Sequence, residues 1–96
     1  MSTSQLTLLE TTTTLGADEV LAQAKTFFST RPSLYSAFLD KEGPGFATFR
    51  GQGGEEIVIG VGPGAGGTGT RVTGSSYLFD MQIARFFTTL EPAGTP

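Results

Sequence analysis

Apolar residues recur at helical spacing in two stretches of the chain. The first stretch follows the i, i+3, i+4, i+7 pattern of one helix face and predicts an amphipathic helix over 17–29. Gly16 is an acceptable N-cap, and the acidic Asp18 and Glu19 in the first turn complement the helix dipole. The helix must end before Pro32. Its apolar positions are Ala17, Val20, Leu21, Ala24, Phe27 and Phe28.

The second stretch predicts a helix over 81–90, with Asp80 as its N-cap. We expect both apolar stripes to pack against a sheet, so that Phe28→Ala or Phe87→Ala costs about 3–5 kcal/mol of stability. The stripe of this helix consists of Ile83, Phe86, Phe87 and Leu90.

Runs of β-branched and alternating residues predict strands over 5–14, 56–61 and 70–79. Within the last of these, the segment from Gly74 to Ser76 predicts a bulge or bend.

The segment 33–40 fits two structures. Pro32 is a suitable first residue for a short helix. Alternatively, the segment is a strand that turns at 42–45 and pairs with 46–51. The strand is favoured, because a Gly-Pro-Gly turn followed by FATFR is typical of a hairpin.

The order of predicted elements is β-α-β-β-β-β-α. Strands joined by short turns pair antiparallel. We therefore expect one α+β domain over 1–96, with a curved antiparallel sheet and two helices on one face.

The amino-acid composition excludes several kinds of catalytic and metal site. The chain has no Cys and no His, which excludes a thiol nucleophile, a disulfide framework and a His-dependent triad or metal cluster. We expect no metal and no cofactor.

Charge argues against nucleic acid as a partner. Six Lys and Arg stand against nine Asp and Glu, a net charge of -3, and no two cations lie within five residues of each other. Phosphate binding draws its affinity from clustered cations. A polybasic membrane patch lacks support for the same reason.

The apolar runs are short, such as 57–61, whereas a spanning helix needs roughly 20 residues. The first residues, MSTSQ, contain neither a basic nor an apolar region of a secretory signal. We therefore expect no membrane insertion and, if the chain is the full gene product, a cytoplasmic location.

The loop 62–69 contains glycines at the spacing of a dinucleotide fingerprint. That fingerprint requires a helix at its end. The residues after Gly67 instead predict a strand, so we interpret the loop as a hairpin connection.

The remaining groups for catalysis are few. A Ser–Lys pair would need Ser33 or Ser36 near Lys25. Glu55 and Glu56 are adjacent on a strand and point to opposite faces. Glu10 is the first strand carboxylate to examine for burial. We expect no enzymatic activity.

Apolar residues occur on both faces of the predicted strands. Phe46 and Phe49 point to opposite sides, and Val58 opposes Ile57 and Ile59. If helices cover one face, a partner subunit or an apolar ligand is expected on the other, where polar residues are usual. The candidate ligand or interface residues are Tyr35, Phe49, Arg50, Val58 and Tyr77.

The segment GTGTRVTGSSYLFD (67–80), leading into an amphipathic helix, resembles the end of a helix-grip domain. The START-type lipid- and polyketide-binding superfamily often ends with a G-G-T-x-V-T strand and a terminal helix. The element order is also similar to one repeat of the TATA-binding-protein-like fold. Helix-grip domains have more strands and a longer final helix, and a TATA-binding protein has two repeats with basic residues lining its groove.

Two functions follow as expectations. The first is a non-enzymatic interaction module, either a homodimer whose contact covers the second face or an edge strand, or an accessory subunit of a larger complex. The alternative, implied by the helix-grip resemblance and the eight Phe residues, is a carrier or sensor of a small apolar ligand between sheet and helices.

Overall fold

The computed structural model describes residues 7–31, 36–76 and 79–90. Its elements follow the predicted order β-α-β-β-β-β-α. The strands are β1 (Thr7–Thr13), β2 (Ala37–Gly43), β3 (Phe46–Gly51), β4 (Glu56–Pro63) and β5 (Thr70–Ser76), and the helices are α1 (Ala17–Ser29) and α2 (Asp80–Thr88).

The strands form one open antiparallel sheet in the order β1-β5-β4-β3-β2. Three successive hairpins place β2 to β5 side by side, and β1 pairs with β5. The edges of the sheet are therefore β1 and β2, and α1 connects one edge to the other. The α+β class and the antiparallel sheet are confirmed.

Both helices pack on the same face of this sheet. α1 lies over β2, β3 and β4, whereas α2 lies over β1 and β5. The ring of Phe28 on α1 is 5.2 Å from that of Phe49 on β3 and 5.5 Å from that of Phe86 on α2. These rings fill the layer between helices and sheet together with Ile57 and Ile59, and all five side chains are wholly buried.

The two hairpin turns beside β3 depend on glycine. Gly45 has a φ of 81° between β2 and β3, and Gly54 has a φ of 89° between β3 and β4. Side chains with a Cβ rarely adopt this left-handed region. The glycine-rich segments of the sequence are thus the places where the chain reverses.

The strand interpretation of 33–40 is confirmed, with a shift: the strand is Ala37–Gly43, and residues 33–35 lie outside the described part. Its pairing with β3 is irregular between Leu39 and Lys41, which marks a bulge.

The bulge predicted within β5 is wrong. Gly74 pairs in regular register with Leu9 of β1 and with Ile59 of β4. A Cβ at this position would lie 2.5 Å from Cγ2 of Ile83 on α2. The glycine therefore allows helix and sheet to approach closely.

The N-cap role predicted for Asp80 is also wrong. α2 begins at Asp80, and Phe79 occupies the N-cap position without a side-chain cap. The backbone N–H of Phe79 donates to Oγ of Ser76 at 3.1 Å. The buried residue Phe79 thus fixes the start of the helix through the end of β5.

The glycine loop is a hairpin connection, as predicted. Gly64 N–H donates to the Gly69 carbonyl at 3.1 Å, and a short 3-10 turn, Ala65–Gly67, lies between them. β5 follows directly, so no helix starts at this loop.

Neither described helix is long and apolar enough to cross a membrane.

Candidate functional site

The face of the sheet opposite the helices is the candidate site, and we call it the open face. Alternation along each strand defines its members. Phe49, Ile57 and Val72 point to the helices, so their strand neighbours point away from them. The open face comprises Leu8, Glu10, Thr12, Phe38, Lys41, Phe46, Thr48, Arg50, Glu56, Val58, Arg71, Thr73 and Ser75.

Two phenylalanines stand on the β2–β3 side of this face. Phe38 is 56% exposed and Phe46 is 38% exposed. Glycines flank Phe46 on both neighbouring strands, Gly43 on β2 and Gly60 on β4. A Cβ on Gly43 would lie 2.5 Å from Cε1 of Phe46, so the ring leans over that glycine. Phe46 is thereby held on the surface by the hairpin itself.

Arg50 is positioned between Phe38 and Glu56 by the register of three strands. Its guanidinium is 3.3 Å from Oδ2 of Asp40 and 3.7 Å from Oε2 of Glu56, and it also donates to the Gly54 carbonyl at 3.0 Å. The side chain thus lies beside an exposed aromatic ring with its charge already balanced.

A second ion pair stands at the opposite end of the open face. Arg71 on β5 donates to both carboxylate oxygens of Glu10 on β1, at 2.7 and 3.2 Å. The hydrogen bond from Arg71 lowers the pKa of Glu10, and the same bond raises the pKa of Arg71. Both groups stay charged over the neutral range, so Glu10 does not have the raised pKa of a general acid.

Between these ion pairs the open face is rich in hydroxyl groups. Thr48 is buried despite its position on this face, and its Oγ1 accepts the backbone N–H of Lys41 at 3.1 Å. That bond satisfies a donor at the β2 bulge. Thr73 and Ser75 on β5 are half-buried. Val58 on the central strand β4 is half-buried between these hydroxyl groups, and the exposed apolar side chains lie towards β2 and at Leu8 on β1.

The structure separates the predicted site residues. Arg50 and Val58 lie on the open face. Phe49 lies on the other face, opposite Ile57 in the buried core. Tyr35 and Tyr77 lie outside the described residues.

The sequence reasoning did not include Phe38 and Phe46 among the candidates. Phe46 had a usable signal, because it lies three residues from Phe49 and only one of the two can face the helices. The side of Phe38 depends on its pairing with Arg50, which the β2 bulge offsets in a way that the sequence does not show.

Two of the groups considered for catalysis, Lys25 and Glu55, are held in surface contacts. Nζ of Lys25 is 2.7 Å from Oε1 of Glu42. The Glu55 carboxylate accepts the backbone N–H of Gly53 at 3.0 Å within its turn. In the described ranges, no three acidic side chains come together in a way that would hold a metal ion.

A groove of about 500 Å³ runs along the outer side of the helix layer. Arg31 stands next to it, with its guanidinium carbon 4.7 Å from the centre of the Phe27 ring. The lining residues of the groove are Glu19, Ala22, Gln23, Thr26, Phe27, Thr30 and Thr89.

Comparison of the chain with protein-family models, with curated proteins and with solved structures found no match. The resemblance to helix-grip domains or to a TATA-binding-protein-like repeat therefore stays a prediction.

Proposed function

We propose that the chain is a non-enzymatic interaction module, which binds another protein or a second copy of itself through the open face of its sheet. One observation carries the proposal: two phenylalanines, Phe38 directly opposite Arg50 and Phe46 nearer the β2–β3 turn, are exposed on a sheet face that no described element covers. Aromatic residues and arginine are enriched in protein interfaces.

The charges of the open face favour a protein partner over a polyanion. Arg50 is paired with Asp40 at the β2 bulge and with Glu56, and Arg71 is paired with Glu10. A phosphate backbone would have to displace those carboxylates, which removes the electrostatic gain that drives nucleic-acid binding. A protein surface that covers the aromatic rings needs no such displacement.

The alternative, a carrier of a small apolar ligand between sheet and helices, has less support. The centre of that layer is occupied by the rings of Phe28, Phe49 and Phe86, which contact each other in series. A ligand there would have to displace close-packed side chains. Native mass spectrometry of protein purified from its own host tests this alternative, and a co-purifying small molecule would favour it.

The open-face proposal is tested with the double variant Phe38→Ser/Phe46→Ser. Both side chains are substantially exposed, so we expect the fold to persist. Met81→Ser on α2 is the matched control, because Met81 is 64% exposed but lies on the helix layer. Light scattering reports binding to a second copy, and quantitative affinity capture from the native source reports other partners.

We expect the partners captured by the wild type to be lost from the double variant and retained by Met81→Ser. If circular dichroism shows a folded double variant that keeps the same partners and the same mass in solution, the open face is not the contact surface.

A further inference from the structure

The two edge strands of the sheet, β1 and β2, differ in how readily a further strand could pair with them. β2 carries features that oppose edge-to-edge pairing: its ladder is interrupted between Leu39 and Lys41, and charged side chains occupy Asp40, Lys41 and Glu42 in succession. Bulges and edge charges, lysine above all, are the usual protection of an exposed edge.

β1 has none of these features. Its register with β5 is unbroken from Thr7 to Thr13, and its sequence, TLLETTT, contains no lysine and no proline. Its one charged residue is Glu10, whose carboxylate is bound by Arg71 of the neighbouring strand. β1 ends the strand order, and no other described element lies beside its outer edge. Within the described ranges, no strand pairs with its outward backbone N–H and C=O groups, so a further ladder can form there.

We propose that β1 pairs antiparallel with β1 of a second copy, so that the two sheets become one continuous sheet. The same strand serves both copies, as a two-fold axis requires. That axis stands perpendicular to the sheet, so both helix layers lie on the same side. α2 packs over β1 and β5 in each copy, and the two α2 helices come to lie next to each other and add to the contact.

The side chains of β1 restrict the register. Residues directly opposite each other in an antiparallel pair share a face, and like charges in that position are unfavourable. An axis at Glu10 would set Glu10 against its own copy. An axis at Leu9 instead places Leu9 opposite Leu9 of the second copy, and an axis at Thr11 does the same for Thr11. Both residues are uncharged and half-buried on the helix face. In a strand of seven residues, the axes next to Glu10 also keep the longest ladder, so the two-fold axis passes through Leu9 or Thr11.

This inference goes beyond the open-face proposal, because it concerns the edge of the sheet and names a second copy as the occupant. The two fail independently. A dimer formed through β1 persists in Phe38→Ser/Phe46→Ser, whereas a dimer formed through the open face is lost in that variant; changes on β1 leave the open-face aromatic rings in place.

The chain lacks cysteine, so single-cysteine variants report the contact without background. Leu9→Cys, Glu10→Cys and Thr11→Cys are compared with Leu39→Cys on the protected edge, each treated with a short bismaleimide at micromolar concentration. We expect the variant at the axis, either Leu9→Cys or Thr11→Cys, to cross-link into dimers at least tenfold faster than Leu39→Cys. Glu10→Cys is expected to cross-link more slowly than the variant at the axis.

Three results would overturn the inference. One is cross-linking at Leu39→Cys as fast as at any β1 position. Another is a wild-type protein that light scattering finds monomeric at about a hundred micromolar, well above the Kd of a stable dimer. A dimer that persists when β1 is blocked, with circular dichroism showing an intact fold, would also overturn it. Proline has no backbone N–H, and neighbouring N–H groups of a strand point to opposite sides. The blocking variant is therefore Thr11→Pro or Thr12→Pro, according to which of the two residues has an N–H that points away from β5.

Discussion

Gly74 of β5 lies directly beneath Ile83 of α2, with 2.5 Å between the Ile83 Cγ2 methyl and the position that a Cβ on residue 74 would take. The same hypothetical Cβ would be 3.3 Å from Cδ1 of Ile59 on the neighbouring strand. The helix can therefore approach the sheet closely because residue 74, in the middle of a regular strand, has no side chain.

Gly74→Ala is expected to destabilise the protein by about 1–3 kcal/mol, because the added methyl overpacks a filled core. Ile83→Ala removes the clashing methyl, so in that background Gly74→Ala should cost much less. A double-mutant cycle by urea denaturation measures this coupling. Gly62→Ala is the control, since a Cβ there would meet nothing within 4 Å. Additive effects at 74 and 83 would contradict the contact.

Truncation of Phe86 and of Phe87, which are neighbours on α2, should reduce the stability of the protein by different amounts. Phe86 is wholly buried, whereas Phe87 is only partly buried against the core. We expect Phe28→Ala and Phe86→Ala to cost about 3–5 kcal/mol each and Phe87→Ala clearly less. This revises the expectation from sequence, which gave Phe87 the same role as Phe28. Equal losses at 86 and 87 in denaturant titrations would argue against the observed orientation of α2.

The Glu10–Arg71 pair predicts a pH dependence. Its hydrogen bond holds the pKa of Glu10 below the ordinary value of 4.5. A carboxylate whose pKa is lower in the folded than in the unfolded state stabilises the fold above the unfolded pKa, and this stabilisation is lost as the pH falls through the folded pKa. On acidification below 4.5, the wild type should therefore lose more free energy of unfolding than Glu10→Gln.

The same pair can be followed directly by the side-chain carboxyl ¹³C shift of Glu10. Arg71→Gln is expected to return the pKa of Glu10 towards 4.5. Arg50→Gln, at the other end of the open face, is the matched control and should leave that pKa as it is in the wild type. An unchanged titration of Glu10 in Arg71→Gln would show that the pair does not form in solution.

Thr48→Val tests how the bulge of β2 is held. The substitution keeps the side-chain shape but removes the Oγ1 that accepts the Lys41 N–H at 3.1 Å. A part-buried N–H without its acceptor should cost roughly 1 kcal/mol. Thermal unfolding measures the loss, and Thr73→Val, on the same face at a regular strand position, is expected to change stability less. An equal effect at both positions would mean that the hydrogen bond to the bulge contributes nothing specific.

The sequence by itself determined the elements whose signals are local. The apolar spacing of 17–29 predicted α1 with the bounds that the structure has, and the Gly-Pro-Gly turn predicted the hairpin of β2 and β3. Helical periodicity and the need for positive φ act over a few residues, so they can be read along the chain.

Contacts between distant parts of the chain were decided only by the tertiary structure. Glu10 and Arg71 are neighbours because β1 pairs with β5, a contact across 61 residues that neither segment indicates alone. The glycine at 74 was predicted to mark a bulge, because a glycine in a strand has that meaning when no partner is known. In the structure, glycine is needed at this position because α2 packs directly above it. Likewise, Phe49 became core and Phe38 surface through strand register and the β2 bulge, because burial depends on which elements meet and not on the residue's own hydrophobicity.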